Sequence, residues 1–104
     1  MRPTREEIER RLGRIRDALA GYEAERIVVF GSTARGDWHE ASDIDLIIVR
    51  NTTQPFFERL SEVARLLPAD LAIEALVYTP EEVARMLARG NGLLARAFRE
   101  GHDL

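Results

Sequence analysis

Two aspartates separated by a single residue are the chain's strongest chemical signal. Asp43 and Asp45 lead into an apolar run that begins at Ile44, and the alternation of side chains along a strand places both carboxylates on one face. Like charges held this close repel each other, and apolar neighbours exclude the water that would screen them. Mg²⁺ relieves such repulsion because it binds carboxylate, water and phosphate oxygens. The alternative is a solvated pair in which Asp43 caps a turn, and the spacing alone favours that alternative.

A third carboxylate, Glu74, lies inside a segment that otherwise has the apolar composition of a buried strand. An unpaired carboxylate in such a place is costly unless an ion or a hydrogen-bonding group compensates it. Three acids from two neighbouring strands are the ligands expected of a site that holds two metal ions about 3.5–4 Å apart. The alternatives are that Glu74 pairs with an arginine such as Arg50, or points outward from an edge strand.

Gly31 and Ser32 follow an apolar strand directly and precede a segment that can start a short helix with Ser32 as its cap. Glycine lets the chain turn tightly and lets a phosphate approach main-chain N–H groups, and a hydroxyl and a helix start add donors. By itself, a Gly-Ser pair after a strand is most often only a turn. Trp38 and His39 follow in the next loop and are candidates for substrate contact, although loop aromatics more often pack locally.

Composition excludes several classes of protein. A chain of 104 residues with 45% hydrophobic side chains predicts a single domain, residues 1–104, with its own core. The absence of cysteine excludes disulfides, thiolate zinc sites and a cysteine nucleophile, and it favours a cytoplasmic location. All 15 basic residues are arginine and the net charge is −3, which argues against extended nucleic-acid binding. No apolar run approaches the roughly 18 residues of a membrane span, so we expect no membrane association.

Hydrophobic spacing and capping signals predict alternating helices and strands. Thr4 and Thr79 each precede a glutamate by three residues and therefore predict helix starts. The expected helices cover residues 5–20, 32–36, 55–67, 80–90 and 93–100, the expected strands cover 26–30, 44–49 and 71–78, and residues 101–104 are expected to be a loose end. A fourth strand is possible within a segment assigned to loop. This order predicts an α/β (α+β) fold, a small mixed β-sheet with flanking helices.

The two motifs together resemble a known signature. Gly31-Ser32, ten further residues and Asp43-Ile44-Asp45 resemble the signature of the nucleotidyltransferase superfamily that includes DNA polymerase β. The longer strings at residues 30–36 and 42–46 look like its minimal nucleotidyltransferase (MNT) branch. The resemblance continues from Glu74 to Glu82 and covers nearly the whole chain. It implies a polymerase β-like nucleotidyltransferase fold.

The resemblance also implies roles by position. Asp43 and Asp45 would bind two Mg²⁺ ions, and Glu74 would be the third acid and a candidate base for the attacking hydroxyl. The family usually has aspartate at this third position, and Asp70 is the alternative if the alignment shifts. The residues expected to bind the nucleotide are Gly31, Ser32, Arg35 and Ser42.

The implied reaction is attack by a hydroxyl on the α-phosphorus of a nucleoside triphosphate such as ATP, with release of pyrophosphate. Stand-alone MNT proteins are typically encoded beside a HEPN-domain ribonuclease toxin and act as its antitoxin, in characterised cases by moving AMP to a tyrosine of the toxin. We expect that pairing here. The alternative is a non-catalytic antitoxin that blocks its partner by occlusion. A Glu74 carboxylate on the same face as Asp43 and Asp45, within reach of a shared cation, favours the enzyme, whereas a Glu74 that points to solvent or pairs with an arginine favours the binding module.

Overall fold

The computed structural model describes residues 3–37 and 43–104. No helix in this part of the chain is both long and apolar enough to cross a bilayer. The elements, in chain order, are α1 (Arg5–Ala18), β1 (Arg26–Phe30), α2 (Ser32–Arg35), β2 (Ile44–Val49), α3 (Phe56–Leu66), β3 (Ile73–Tyr78), α4 (Pro80–Ala88), α5 (Gly92–Glu100) and β4 (His102–Asp103).

The strands form a mixed sheet in the order β3-β2-β1-β4. β1 pairs antiparallel with β2 and with β4, whereas β2 and β3 run parallel. This arrangement confirms the predicted mixed sheet with flanking helices. The central strand β2 is almost continuously apolar, which is the pattern of a strand whose two faces are both covered.

Helices cover the two faces of the sheet and create two apolar clusters. On one face, Ile15 of α1 and Val63 of α3 pack with Leu46 and Ile48 of β2. On the other face, Leu94 and Ala97 of α5 pack with Ile47 and Val49, together with partly buried side chains of α4. Since side chains alternate along a strand, Asp45 shares the face of Ile47 and Val49 and therefore opens toward α5.

Two helix starts form as the sequence predicts. The Thr4 hydroxyl accepts a hydrogen bond from the Glu7 N–H at 3.1 Å. Thr79 and Glu82 form a reciprocal capping box, with Pro80 at the first position of α4. These signals lie within a few residues of the turn that they stabilise, so sequence alone is sufficient to locate them.

The prediction of a loose carboxyl end is wrong. His102 and Asp103 pair with Val29 and Val28 along the outer edge of β1. The Asp103 carboxylate also accepts a hydrogen bond from Arg26 Nε at 2.7 Å. An uncovered strand edge exposes unpaired N–H and C=O groups, and these last residues satisfy that edge although their own composition carries no strand signal.

Candidate functional site

Gly31 brings the main chain against a carboxylate at the end of β1. Its backbone angles are φ 73° and ψ −149°, a region that is open almost only to glycine. A Cβ atom at this position would lie 2.5 Å from Asp45 Oδ2, well inside van der Waals contact. The absence of a side chain at residue 31 therefore permits both the turn and the close approach to Asp45.

The short helix α2 follows this turn, with a different cap from the one predicted. Gly31 occupies the N-cap and Ser32 is the first helical residue, so the predicted cap role of Ser32 is wrong. The reason is the unusual backbone of Gly31, which starts the helix one residue earlier. The buried side chain of Thr33 anchors α2 to the protein. Arg35 ends the helix, and its Nε lies 3.5 Å from Asp37 Oδ2 with both side chains at least half exposed.

The sheet register brings Asp45 and Glu74 side by side. Asp45 lies opposite Phe30 on β1 and opposite Glu74 on β3, so the two carboxylates are direct cross-strand neighbours. Asp43 is exposed and lies one residue before β2 begins. Within residues 3–37 and 43–104, no set of three His, Asp or Glu side chains is gathered closely enough to hold a metal ion. The predicted ring of three acids therefore takes the form of an adjacent pair with a third acid nearby.

The surroundings of Asp45 favour its neutral form. Burial raises the pKa of its carboxyl to about 6, and hydrogen bonding and repulsion from Glu74 and repulsion from Asp43 act in the same direction. Arg35 opposes these effects and lowers the pKa. Asp45 is thus a carboxylate whose charge is only partly compensated by the protein.

This donor set fits a divalent cation. Asp43, Asp45 and Glu74 present only carboxylate oxygens, which are the ligands that Mg²⁺ prefers. Burial, followed by hydrogen bonding and repulsion from Glu74 and by repulsion from Asp43, raises the pKa of Asp45, and a bound cation would favour its charged form. The adjacent Asp45 and Glu74 could supply carboxylate ligands to such a cation, and Asp43 is the nearby third acid that the sequence predicts.

Two competing interpretations of the third acid are not supported by the geometry. Asp70 is held in a two-bond ion pair with Arg14, with N···O distances of 2.7 and 2.9 Å. Arg50, the suggested arginine partner of Glu74, instead bonds Glu62 at 3.3 Å. Glu74 therefore remains beside Asp45, and Asp70 is bound to Arg14 of α1. Glu74 is nevertheless exposed and β3 is an edge strand, so the predicted burial of this carboxylate is wrong.

A cavity of about 400 Å³ opens over the two acids. Its remaining wall is apolar and comes from β1, β2, β3 and α5. A smaller cavity of about 140 Å³ lies between α2 and α5 and contains Arg35 and Arg96. Phe30 and Leu93 line both cavities, which places the two spaces next to each other.

Helix α5 contributes to both cavities, which the sequence did not predict. Leu93 and Arg96 are three residues apart and therefore lie on one face of a helix. That spacing is visible in the sequence, but it does not show that this face meets α2. The other predicted contacts, Ser42, Trp38 and His39, lie outside the described residues.

Comparison with known proteins agrees with this architecture. A sequence model of the nucleotidyltransferase domain matches residues 8–89, which is most of the chain and includes every predicted site residue. The fold resembles that of a candidate nucleotidyltransferase from Sulfolobus solfataricus, known from its crystal structure. The similarity to that protein has a TM-score of 0.55 with 24% identity and covers 82% of this chain and 84% of the other.

A search of curated proteins found no match to the chain. The structural likeness establishes the shared fold, and the sequence match over residues 8–89 establishes the family. The chain belongs to the nucleotidyltransferase domain family.

Proposed function

We propose that residues 1–104 act as one minimal nucleotidyltransferase domain that moves AMP from ATP to a hydroxyl in a Mg²⁺-dependent reaction. The observation that carries this proposal is the cross-strand pair Asp45–Glu74, which lies against Gly31 and under an open cavity. The position of Glu74 beside Asp45 supports the enzyme, as does the bonding of its suggested partner Arg50 to Glu62, whereas the exposure of Glu74 on the edge strand β3 supports a binding module.

Asp43, Asp45 and Glu74 hold the metal in this proposal. A divalent cation bound there would neutralise phosphate charge and lower the pKa of the acceptor hydroxyl. Glu74 is exposed to solvent and therefore accessible to an acceptor. Its carboxylate receives the hydroxyl proton as the acceptor oxygen bonds the α-phosphorus and the bond to the leaving pyrophosphate breaks.

The phosphate groups are held by residues of the turn and of α2. Gly31 has no side chain to block the approach of a phosphate to the main chain, and Ser32, the first residue of α2, adds a hydroxyl beside it. Arg35 supplies positive charge, and its exposed contact with Asp37 is weak enough to exchange for a phosphate. Ser42 completes the predicted nucleotide-binding set.

The acceptor comes from another molecule in this proposal. The chain contains two tyrosines, and neither is placed to accept AMP. Tyr22 is only 2% exposed, and Tyr78 lies at the far end of β3, opposite Val49. We therefore propose a tyrosine of a HEPN ribonuclease toxin as the acceptor, with this protein as the cytoplasmic antitoxin.

Radiolabel transfer tests the reaction. The purified protein, the product of a neighbouring HEPN gene, Mg²⁺ and ATP labelled at the α-phosphate are expected to yield label on a tyrosine of the partner. Asp45→Asn should reduce the transfer at least about 1,000-fold, because it removes a metal ligand. Asp70→Asn is the matched control, since that carboxylate is committed to Arg14, and it should leave the transfer unchanged.

The second candidate is a non-catalytic antitoxin, and the exposure of Glu74 on the edge strand β3 favours it. Phe57 of α3 is 80% exposed and Leu93 of α5 is 54% exposed, and each is an apolar side chain that a protein partner could bury. Tight binding and inhibition of the toxin without label transfer from any nucleoside triphosphate would establish this candidate and refute the enzyme. Loss of transfer in Asp45→Asn with retained binding would establish the enzyme.

A further inference from the structure

The small cavity between α2 and α5 is lined by two arginines, of which Arg96 has no role in the proposed function. Arg35 enters it from α2 and Arg96 enters it from α5. Glu100 is the one acidic residue in its lining, so the cavity has an excess of positive charge. A cavity of this kind selects anions, and guanidinium groups bind phosphate oxygens with paired hydrogen bonds.

The rotation of α5 about its axis explains why Arg96 faces this cavity. Leu94 is 0% exposed and Ala97 is 2% exposed, so these two residues seat the helix on the sheet. Leu93, Arg96 and Glu100 recur at helical spacing on the adjoining face, and all three line the cavity toward α2. The direction of Arg96 thus follows from core packing.

Neither arginine has a strong internal partner. Arg96 is exposed, and no hydrogen bond or ion pair joins its side chain to another residue in the described parts of the chain. Among residues 3–37 and 43–104, the Arg35 side chain has one ion pair, the long, half-exposed contact with Asp37, and its charge also acts on Asp45. By contrast, Arg59 and Arg14 are bound to carboxylates at 2.6 and 2.7 Å. The two cavity arginines are therefore available to an incoming anion.

The position of the cavity indicates which anion it takes. It shares Phe30 and Leu93 with the larger cavity over Asp45 and Glu74, and Gly31 is part of its lining. A nucleotide whose α-phosphate lies at the carboxylates would reach this space with its terminal phosphates. Its volume of about 140 Å³ is suited to inorganic groups and is small for a nucleoside.

We propose that Arg96 is a second phosphate-binding arginine, which works with Arg35 to hold the β- and γ-phosphates of the nucleoside triphosphate and the departing pyrophosphate. This assignment rests on the proposed function. It makes α5 part of the nucleotide site, and it predicts that the protein distinguishes a triphosphate from a monophosphate through a residue outside the family's sequence match, which ends at residue 89.

Calorimetric binding of ATP and AMP in the presence of Mg²⁺ tests the assignment. Arg96→Gln is expected to weaken ATP binding about tenfold or more, because charge-assisted hydrogen bonds to the terminal phosphates are lost. AMP binding should change less than about twofold, and inorganic pyrophosphate should follow ATP. Arg96→Lys, which keeps the charge, should recover part of the ATP affinity.

Arg99→Gln is the matched control. Arg99 lies on the same helix, is 70% exposed and is absent from the cavity lining, so its loss should leave both affinities unchanged. Unchanged ATP binding in Arg96→Gln, or an equal loss of ATP and AMP binding, would overturn the Arg96 assignment and leave the proposed function standing. A wild-type protein that binds neither nucleotide with Mg²⁺ would overturn both. An unaltered thermal midpoint of Arg96→Gln establishes that an affinity loss is local.

Discussion

The two ends of β3 place carboxylates in opposite electrostatic surroundings. Near its start, Glu74 lies beside Asp45, whose pKa is raised by burial and by the neighbouring Glu74. Just beyond its end, Glu82 meets the buried guanidinium of Arg59, with an N···O distance of 2.6 Å. One strand therefore connects a pair of like charges to a compensated ion pair.

The compensation at the far end is extensive. Arg59 is 6% exposed and also donates to the carbonyls of Gln54 at 2.8 Å and Val77 at 3.2 Å. The Glu82 carboxylate accepts a further bond from the Thr79 N–H at 2.8 Å. The hydrogen bond from Arg59 is the main cause of the lowered pKa of Glu82. This network joins α3, β3 and α4 without any external group.

The difference separates a structural site from the proposed functional site. Arg59 and Glu82 satisfy each other, so their contribution is to the stability of the fold. Asp45 and Glu74 are both acidic and do not compensate each other's charge. Uncompensated like charges of this kind are typical of sites where a cation or a substrate binds. Three substitutions test this contrast, one at the compensated end and two at the other.

The largest effect is expected at the compensated end. Arg59→Met should lower the free energy of unfolding by about 3 kcal/mol, because it leaves the Glu82 carboxylate and the Val77 carbonyl without their buried donor. Urea denaturation measures the change. Arg65→Met, an exposed position on the same helix, is the control and should have little effect. A similar stability for both variants would refute the structural role of the Arg59 network.

The next effect is expected where the chain turns beside Asp45. Gly31→Ala should lower the free energy of unfolding by about 2 kcal/mol, because the methyl group meets Asp45 Oδ2 and the backbone angles are unfavourable for alanine. In an Asp45→Ala background, the cost from the clash with Asp45 Oδ2 should disappear, whereas the cost from the backbone angles should remain.

Gly21→Ala provides the comparison, since nothing lies within 4 Å of a Cβ atom there. Urea denaturation of the single and double variants separates the two costs of Gly31→Ala. An equal cost in both backgrounds would show that contact with Asp45 contributes nothing.

The smallest expected change is a gain in stability, caused by a substitution of Asp45. Asp45→Asn should raise the free energy of unfolding by about 1 kcal/mol at pH 7.5 in the absence of divalent metal, because it removes a charge repelled by Glu74 and Asp43. Asparagine keeps the shape of the side chain and can donate to Glu74. Thermal and urea unfolding measure the gain.

The stability difference between the wild type and Asp45→Asn should depend on pH. The pKa of Asp45 in the folded protein is about 6, above its ordinary value of 3.8. The stabilisation from its protonation is therefore complete below about pH 4 and is lost as the pH rises through 6. The advantage of Asp45→Asn should be absent near pH 4 and should grow toward pH 7. Mg²⁺ should stabilise the wild type more than the variant, and a metal-independent, pH-independent difference would contradict the like-charge interpretation.

Sequence predicted the parts of the fold that depend on neighbouring residues. The strands at residues 26–30 and 44–49 match β1 and β2, and the capping signals at Thr4 and Thr79 mark the starts of α1 and α4. β3 begins two residues later than the predicted strand, at Ile73. Residues 102–103 were missed as a strand, because their pairing with β1 depends on a partner more than 70 positions away.

The candidate site also has features that the sequence shows and features that only the tertiary structure shows. The types and spacing of Gly31, Asp43 and Asp45 are sequence properties, and the prediction of phosphate and metal chemistry rests on their combination with Glu74 and on the family resemblance that they carry. Whether Glu74 or Asp70 accompanies them depends on sheet register and on the position of Arg14, which no local pattern specifies. The same holds for Arg96, which reaches α2 only because Leu94 and Ala97 orient α5.

By itself, then, the amino-acid sequence determined the order of helices and strands up to residue 100 and the glycine turn, because these depend on side chains a few residues apart. The tertiary structure decided the partners: Asp45 with Glu74, Arg14 with Asp70, Arg59 with Glu82, and the carboxyl end with β1. The physical reason is that charges interact through space, so whether a carboxylate is compensated or left for a cation depends on which distant residues packing brings beside it.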